Sequence, residues 1–342
     1  MDKISIIGSG SWATALSTVL TDNGIEILMW SPFADQVEEI NVGHTNKRYF
    51  PDIVLDKKIK ATTSLEDVVN FSDNLLMVIP TNYYRETLKK INNIINRKKV
   101  FINASKGIEP GTFLPISEMI KEEIDDNKLD DIVILSGPSH AEEVVLRKLT
   151  LITSVCENEK IAEEVQKTFS NDYLRVYIHN DVLGVEIASS LKNVIALASG
   201  IAHGMGYGDN TRAALITRGL VEIMRYGEIY GCNPNTFYGL AGIGDLIVTA
   251  TSFHSRNFQA GMKIADGESI DDIVNRSSQV VEGIRTAKAV YEQLSTLGIE
   301  MPILEAVYKV VYDREDPKEV INNLMNRELK REYQSNNVMQ KN

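Results

Sequence analysis

Three stretches of this sequence combine residue types that could seat a phosphate or move a proton. The first, Gly8-Ser9-Gly10-Ser11-Trp12-Ala13, directly follows the apolar run Ile4 to Ile7. In such a loop the first glycine permits a tight turn, the second lets a pyrophosphate approach the backbone, and a small third residue lets helix and strand pack closely. N–H groups at the start of the next helix then bind the phosphates. A plain glycine-rich turn has the same spacing, but a position inside a strand–helix–strand unit favours a dinucleotide. At the end of the second strand, Trp30-Ser31-Pro32, the acid that would hold the ribose 2′-OH of NAD is missing. A 2′-phosphate is therefore permitted. With no Arg at Ser31 or Phe33 to select it, the reading leans to NADPH and keeps NADH open.

The second stretch surrounds Lys192, whose i±3 and i±4 neighbours are Ala188, Ser189, Ile195 and Ala196. Apolar surroundings desolvate an ammonium group and lower its pKa towards neutrality, which suits a group that gives a proton in one direction and takes it back in the other. A lysine snorkelling to solvent is the alternative. Asp245 closes Gly242-Ile243-Gly244-Asp245 and could orient Lys192, bind a substrate hydroxyl or cap a helix. Lys106 follows the strand Val100 to Asn103 at the carboxyl edge of a sheet, where open α/β folds place ligands. The third stretch, Ser255-Arg256-Asn257, offers a hydroxyl, a planar guanidinium and an amide, a set suited to phosphate oxygens. His140, His179, His203 and His254 are scattered without an i,i+4 pair, so no metal site is expected.

Positioning these groups takes an alternation of strands and helices followed by helices alone. Strands are expected at Ile4 to Ile7, Ile25 to Trp30, Leu75 to Ile79, Val100 to Asn103, Ile132 to Leu135 and Leu149 to Val155. This βαβ series implies a Rossmann-like doubly wound sheet over 1–180. The strand signal stops near Asn180, and 181–342 reads as an all-α domain with helices at Gly184 to Ile201, Thr211 to Tyr230, Phe258 to Ala265, Gly283 to Leu297 and Ile303 to Tyr312. Gly231, Gly298 and Pro302 serve as stop signals, and Gln334 to Asn342 is expected to fray. The fold class is α/β.

The 342 residues carry a formal charge of -11, which disfavours nucleic acid and anionic lipid as partners. Two cysteines, Cys156 and Cys232, suggest buried thiols in a reducing compartment. The longest apolar stretch, Val194 to Ala202, is broken by Ser199 and Gly200, so no transmembrane helix or stable membrane association is expected. The first strand begins too early for a signal peptide. A cytoplasmic protein is the expectation.

Several blocks together resemble one family. They are Ser105-Lys106-Gly107-Ile108-Glu109, Gly137-Pro138-Ser139-His140-Ala141-Glu142, Leu191-Lys192-Asn193-Val194, Gly208 to Gly219, Gly239 to Leu246, Ser255-Arg256-Asn257 and Val281-Glu282-Gly283. In order and spacing they are similar to bacterial NAD(P)-dependent glycerol-3-phosphate dehydrogenases. The resemblance implies reversible hydride transfer between NAD(P)H and dihydroxyacetone phosphate, giving sn-glycerol 3-phosphate for phospholipid synthesis. It implies Lys192 as the acid/base and Lys106 in contact with both substrate and cofactor. It further implies a substrate pocket of Gly137, Ser139, Asp245, Ser255, Arg256 and Asn257. Cofactor contacts are implied at the glycine loop with Ser11 and Trp12, and at Phe33, Ala141, Arg256, Val281 and Glu282. Phe33 stands where relatives often carry a basic or polar residue, so stacking on adenine would replace a charge there. A homodimer is also implied. The rival readings are another two-domain β-hydroxyacid or sugar-acid dehydrogenase, and a non-catalytic NAD(P)H-binding redox sensor.

Overall fold

A computed structural model describes residues 1–109, 111–112, 114–270, 272–273 and 281–332. Eight strands form one sheet: β1 Lys3–Ile7, β2 Glu26–Trp30, β3 Ala61–Thr62, β4 Asn74–Met77, β5 Lys99–Asn103, β6 Leu129–Ser136, β7 Thr150–Val155 and β8 Leu174–His179. Their order is β3-β2-β1-β4-β5-β6-β7-β8. Every neighbouring pair is parallel except β6 and β7. The central strands read as near-continuous apolar runs because helices cover both faces, the usual state of a parallel sheet. In β1 the four residues Ile4 to Ile7 are all buried.

Two strands escape the sequence reading for different reasons. β3 is only two residues long. β8, Leu-Arg-Val-Tyr-Ile-His, leaves Arg175, Tyr177 and Ile178 exposed, so it lacks an apolar run. The antiparallel β7 also departs from a simple βαβ series. The expected fraying of Gln334 to Asn342 lies outside the described residues.

Beyond β8 the described chain is helical. Its axis is the 23-residue helix Val182–Gly204, where the Asp181 carboxylate accepts from Gly184 N at 3.0 Å and so satisfies one orphan donor. Length and composition would let this helix cross a membrane, and 83% of its most apolar window is buried inside the protein. It is a core helix: a side chain at Gly200 would lie 2.0 Å from Phe258 O, and one at Gly261 2.3 Å from Leu197 O. The backbones of Val182–Gly204 and Arg256–Ala265 are thus in contact, which Ala or Ser at either glycine would prevent. Gly298 ends the helix Glu282–Leu297 in the left-handed region. Pro302 opens the next helix at its first turn, a position that wastes no hydrogen bond.

Two buried carboxylates act as helix caps from a distance. Glu186 accepts from the N–H of Ser117 at 2.9 Å and from the Ser117 hydroxyl, so a residue of the long helix caps Ile116–Glu123 of the sheet half. Glu222 accepts from Ile303 N at 2.8 Å and Leu304 N at 3.2 Å, capping Pro302–Tyr308. Burial pushes both carboxyls up to about 7. Cys156 and Cys232 are free and buried, as expected.

Candidate active site

The glycine loop is built as its spacing predicts. Gly8 has φ +127°, and a side chain there would stand 2.2 Å from Val78 O. Gly10 precedes the helix Ser11–Asp22, and a Cβ on it would meet nothing within 4 Å. No side chain caps that helix, and its first turn holds no acid. Its leading N–H groups are therefore open to an anion, which fits a dinucleotide pyrophosphate. Ser11 is the first helical residue, Trp12 is half-buried, and Ala13 is buried against the sheet.

Below the loop lies a neutral polar group that short-range patterns could not reveal. The Gln36 side-chain oxygen accepts from the hydroxyls of Ser9 and Ser31, both at 2.7 Å. Its amide nitrogen donates to Ser9 O at 2.9 Å and Asn46 Oδ1 at 3.1 Å. Asn46 in turn donates to Ser9 O and to Thr14 Oγ1. An amide thus fills the β2 end, where an acid would otherwise stand. Phe33 lies just beyond β2 with 55% of its surface exposed, open to a flat ring.

At the carboxyl edge of the sheet the two halves supply one connected ionic group. Lys192 Nζ donates to Asp245 Oδ1 and to Thr249 Oγ1, each at 2.6 Å. Lys106 Nζ donates to the other carboxylate oxygen of Asp245 at 2.8 Å and lies 3.5 Å from Gly137 O. Lys192 and Asp245 are buried, so the snorkelling alternative fails. Desolvation is the largest influence on Lys192 and, helped by the Lys106 charge, brings it down to about 7 against the pull of Asp245. Burial alone would raise Asp245. The two ammonium groups outweigh it and hold the carboxyl below its ordinary range. Asp245 is the first residue of the helix Asp245–Thr251 and makes no capping bond, so its side chain is free for the two lysines. Thr249 was not singled out from sequence, although its i+4 spacing from Asp245 puts it on the same helix face.

Of the remaining predicted residues, Gly137 borders this group and Asn257 is joined to Asn193, the neighbour of Lys192. Gly137 leaves the end of β6 with φ +144°, Ser139 donates to Gly137 O at 3.0 Å, and Ala141 opens the short helix Ala141–Val144. Ser255 caps Arg256–Ala265 by accepting from Phe258 N at 3.3 Å. Arg256, exposed, starts that helix. Asn257 is buried and spoken for at both ends: it donates to Asn193 Oδ1 at 3.0 Å and accepts from Gly283 N at 2.8 Å. It thereby ties the residue after Lys192 to the residue after Glu282. Val281 is buried beside Glu282, whose carboxyl burial raises, with the charges of Arg285 and Arg256 opposing. His203 packs between Phe253 and Phe258. Among the described residues no group of three His, Cys, Asp or Glu could hold a metal.

A glycine loop of dinucleotide-binding form on a largely parallel sheet, together with a buried lysine of near-neutral pKa, defines the class: a nicotinamide-dependent oxidoreductase with a helical second half. Comparison with known proteins narrows the class. The profile described as NAD-dependent glycerol-3-phosphate dehydrogenase N-terminus matches residues 3–162, and that for the C-terminus matches 181–322. The chain belongs to the NAD-dependent glycerol-3-phosphate dehydrogenase family. It is 50% identical over 330 residues to glycerol-3-phosphate dehydrogenase [NAD(P)+] of Streptococcus agalactiae serotype V, covering 96% of this chain and 98% of the relative. The Staphylococcus haemolyticus enzyme of the same name is 49% identical, covering 97% and 100%. A crystal structure of glycerol-3-phosphate dehydrogenase from Coxiella burnetii superposes with a TM-score of 0.90 at 31% identity, covering 95% of this chain and 99% of that one.

Proposed function

We propose that this enzyme reversibly reduces dihydroxyacetone phosphate to sn-glycerol 3-phosphate with NADPH or NADH, and that Lys192 exchanges the proton at the substrate oxygen. The observation carrying this reading is the Lys106–Asp245–Lys192 group, in which Lys192 and Asp245 are buried, Lys106 is half-buried and Lys192 is near 7. When bound, the reduced nicotinamide supplies the hydride to the carbonyl carbon. The chain supplies the rest. Lys192 Nζ gives its proton to the oxygen as negative charge develops there, and takes it back in the oxidative direction. A pKa near the working pH serves both directions. Lys106 places a second positive charge at the same oxygen, in surroundings where burial strengthens electrostatic contacts. Asp245 and Thr249 hold Lys192 on one line of approach.

Gly8, Gly10, Ser11, Trp12 and Ala13 would take the pyrophosphate and Phe33 the adenine. Lys106, Ala141, Arg256, Val281 and Glu282 would lie along the nicotinamide half. Gly137 and Ser139 would wall the substrate pocket. Ser255, Arg256 and Asn257 form the phosphate seat: Arg256 through its guanidinium, the other two by fixing the helix start. The neutral Ser31–Gln36 group favours NADPH by sparing a 2′-phosphate any carboxylate at that point. We assign 1–180 to cofactor binding and 181–342 to substrate binding and catalysis, in a cytoplasmic homodimer without stable membrane association. Its product would feed glycerophospholipid synthesis.

The test is substrate choice. Reduced-cofactor absorbance should fall with dihydroxyacetone phosphate, and faster with NADPH than with NADH. Faster turnover of a 3-oxo acid would transfer the chain to the β-hydroxyacid dehydrogenases, and nucleotide binding without any turnover would favour a sensor.

A further inference from the structure

We propose that Arg85 is a positioning residue for the reaction: with Thr81 and Tyr84 it splints the loop carrying Lys106, and so sets the Lys106–Asp245–Lys192 geometry. The proposal rests on the reading of Lys192 as the proton donor. Thr81, Tyr84 and Arg85 lie four to eight residues past the end of β4, and all three side chains reach the segment 103–109. Thr81 Oγ1 donates to the backbone oxygen of Lys106 itself at 3.3 Å. The fully buried Tyr84 donates to Asn103 Oδ1 at 2.9 Å, and that oxygen also accepts from Ser105 N at 2.9 Å. Arg85 grips the other end of the loop with a two-point fork on Glu109, Nε to Oε1 at 2.7 Å and Nη2 to Oε2 at 2.6 Å. Such planar pairing fixes direction as well as distance. Contact is close between these points too: a side chain at Gly107 would stand 2.4 Å from Thr81 Oγ1.

Arg85 also holds Glu122 at 2.9 Å and Glu123 at 2.5 Å. One guanidinium therefore bridges three carboxylates, with Lys89 3.9 Å from Glu123 as the other cation beside them, and removing Arg85 leaves the three more strongly repelling one another behind the loop. Glu109 would be pushed away, and Lys106, three residues earlier, would lose its fixed reach to Asp245 Oδ2. Displacement of even about 1 Å from a reacting geometry can cost on the order of 100-fold in rate. The consequence for Lys192 has a sign. The charged groups acting on it are Asp245 and Lys106; the nearby His140 is itself lowered by burial and by the Lys192 charge. Lys106 opposes the protonation of Lys192, so a retreating Lys106 lets Lys192 hold its proton to higher pH.

The experiment measures kcat, KM and the pH profile of dihydroxyacetone phosphate reduction for wild type, Arg85→Ala, Arg85→Lys and Thr81→Val. Arg85→Ala should lower kcat by about 10-fold with KM for NADPH within about twofold. The high-pH limb of kcat should move up by about half a pH unit or more. Arg85→Lys keeps the charge, loses the fork and should fall between. Thr81→Val, which removes one strut and no charge but also the Thr81 hydroxyl's bond to Glu282, should shift the limb the same way with KM for NADPH reporting any effect through Glu282, and serves if Arg85→Ala does not fold. A loss of kcat with the limb at its wild-type position in both variants would show a merely structural role and overturn the proposal. Lys192→Ala run alongside separates the failures: activity surviving there defeats the proton-donor reading, whatever Arg85 does.

Discussion

Replacing Asp245 with asparagine preserves the side chain's shape and removes the one negative charge that two lysines share. The lysine nitrogens lie 2.6 and 2.8 Å from its oxygens. At an effective dielectric near 20, the Coulomb attraction of one such pair is roughly 6 kcal/mol. The amide dipole and penetrating water return part of it, so a net loss of ~2.8 kcal/mol, or ~100-fold in the proton affinity of Lys192, is a restrained figure. Desolvation and Lys106 would then act unopposed, and both push Lys192 further down. With Lys192 at about 7 in the wild type, about half of it is protonated at pH 7, against roughly one part in a hundred in the variant. Reduction of dihydroxyacetone phosphate at pH 7 should therefore slow by ~50-fold and recover as the pH falls towards about 5. Oxidation of glycerol 3-phosphate, which needs the neutral amine, should lose less. Initial rates of reduced-cofactor absorbance change across that range decide the matter. A variant equally impaired at every pH would refute the electrostatic reasoning and leave Asp245 an orienting role alone.

Three further outcomes follow from the geometry. Arg256→Ala should raise KM for dihydroxyacetone phosphate by about 10-fold or more with a smaller effect on kcat, because a cation is removed from the phosphate seat; steady-state kinetics check this, and unchanged KM removes Arg256 from the site. Gly8→Ala forces a Cβ to 2.2 Å from Val78 O at a φ of +127°, so denaturant unfolding should show a loss of about 2 kcal/mol or more, and NADPH titration a weakened Kd. Glu222→Ala strips the acceptor from Ile303 N and Leu304 N and should cost about 1–3 kcal/mol of stability without changing KM for either substrate.

The sheet half was legible because its central strands are continuous apolar runs and the glycine loop has a fixed chemistry on a fixed unit. Lys192 was legible for a related reason: an ionisable residue on an otherwise apolar helix has to be explained. Glu186 is the other charged residue between Gly184 and Ile201, yet its role is not visible in the sequence, since its partner Ser117 lies 69 residues away in the other half. The same distance in sequence conceals the Gln36–Asn46 group under the loop and the Asn193–Asn257–Gly283 tie. Pairings of this kind are set by the crossing of elements and carry no local spacing. The long helix Val182–Gly204 illustrates the reverse limit. Ser199 and Gly200 read as interruptions of an apolar run, whereas Ser199 donates to Ala250 O at 2.7 Å and Gly200 lets a neighbouring helix touch the backbone. Small and polar residues there serve packing inside one 23-residue helix.

Lys192→Ala, assayed beside the wild type with dihydroxyacetone phosphate and NADPH, tests the central claim most directly. NADPH binding should stay within about twofold, because Lys192 is not among the residues assigned to the cofactor. Turnover should fall by at least ~100-fold, the scale of a lost general acid. A variant that still reduces dihydroxyacetone phosphate near the wild-type rate would contradict the assignment of Lys192 as proton donor.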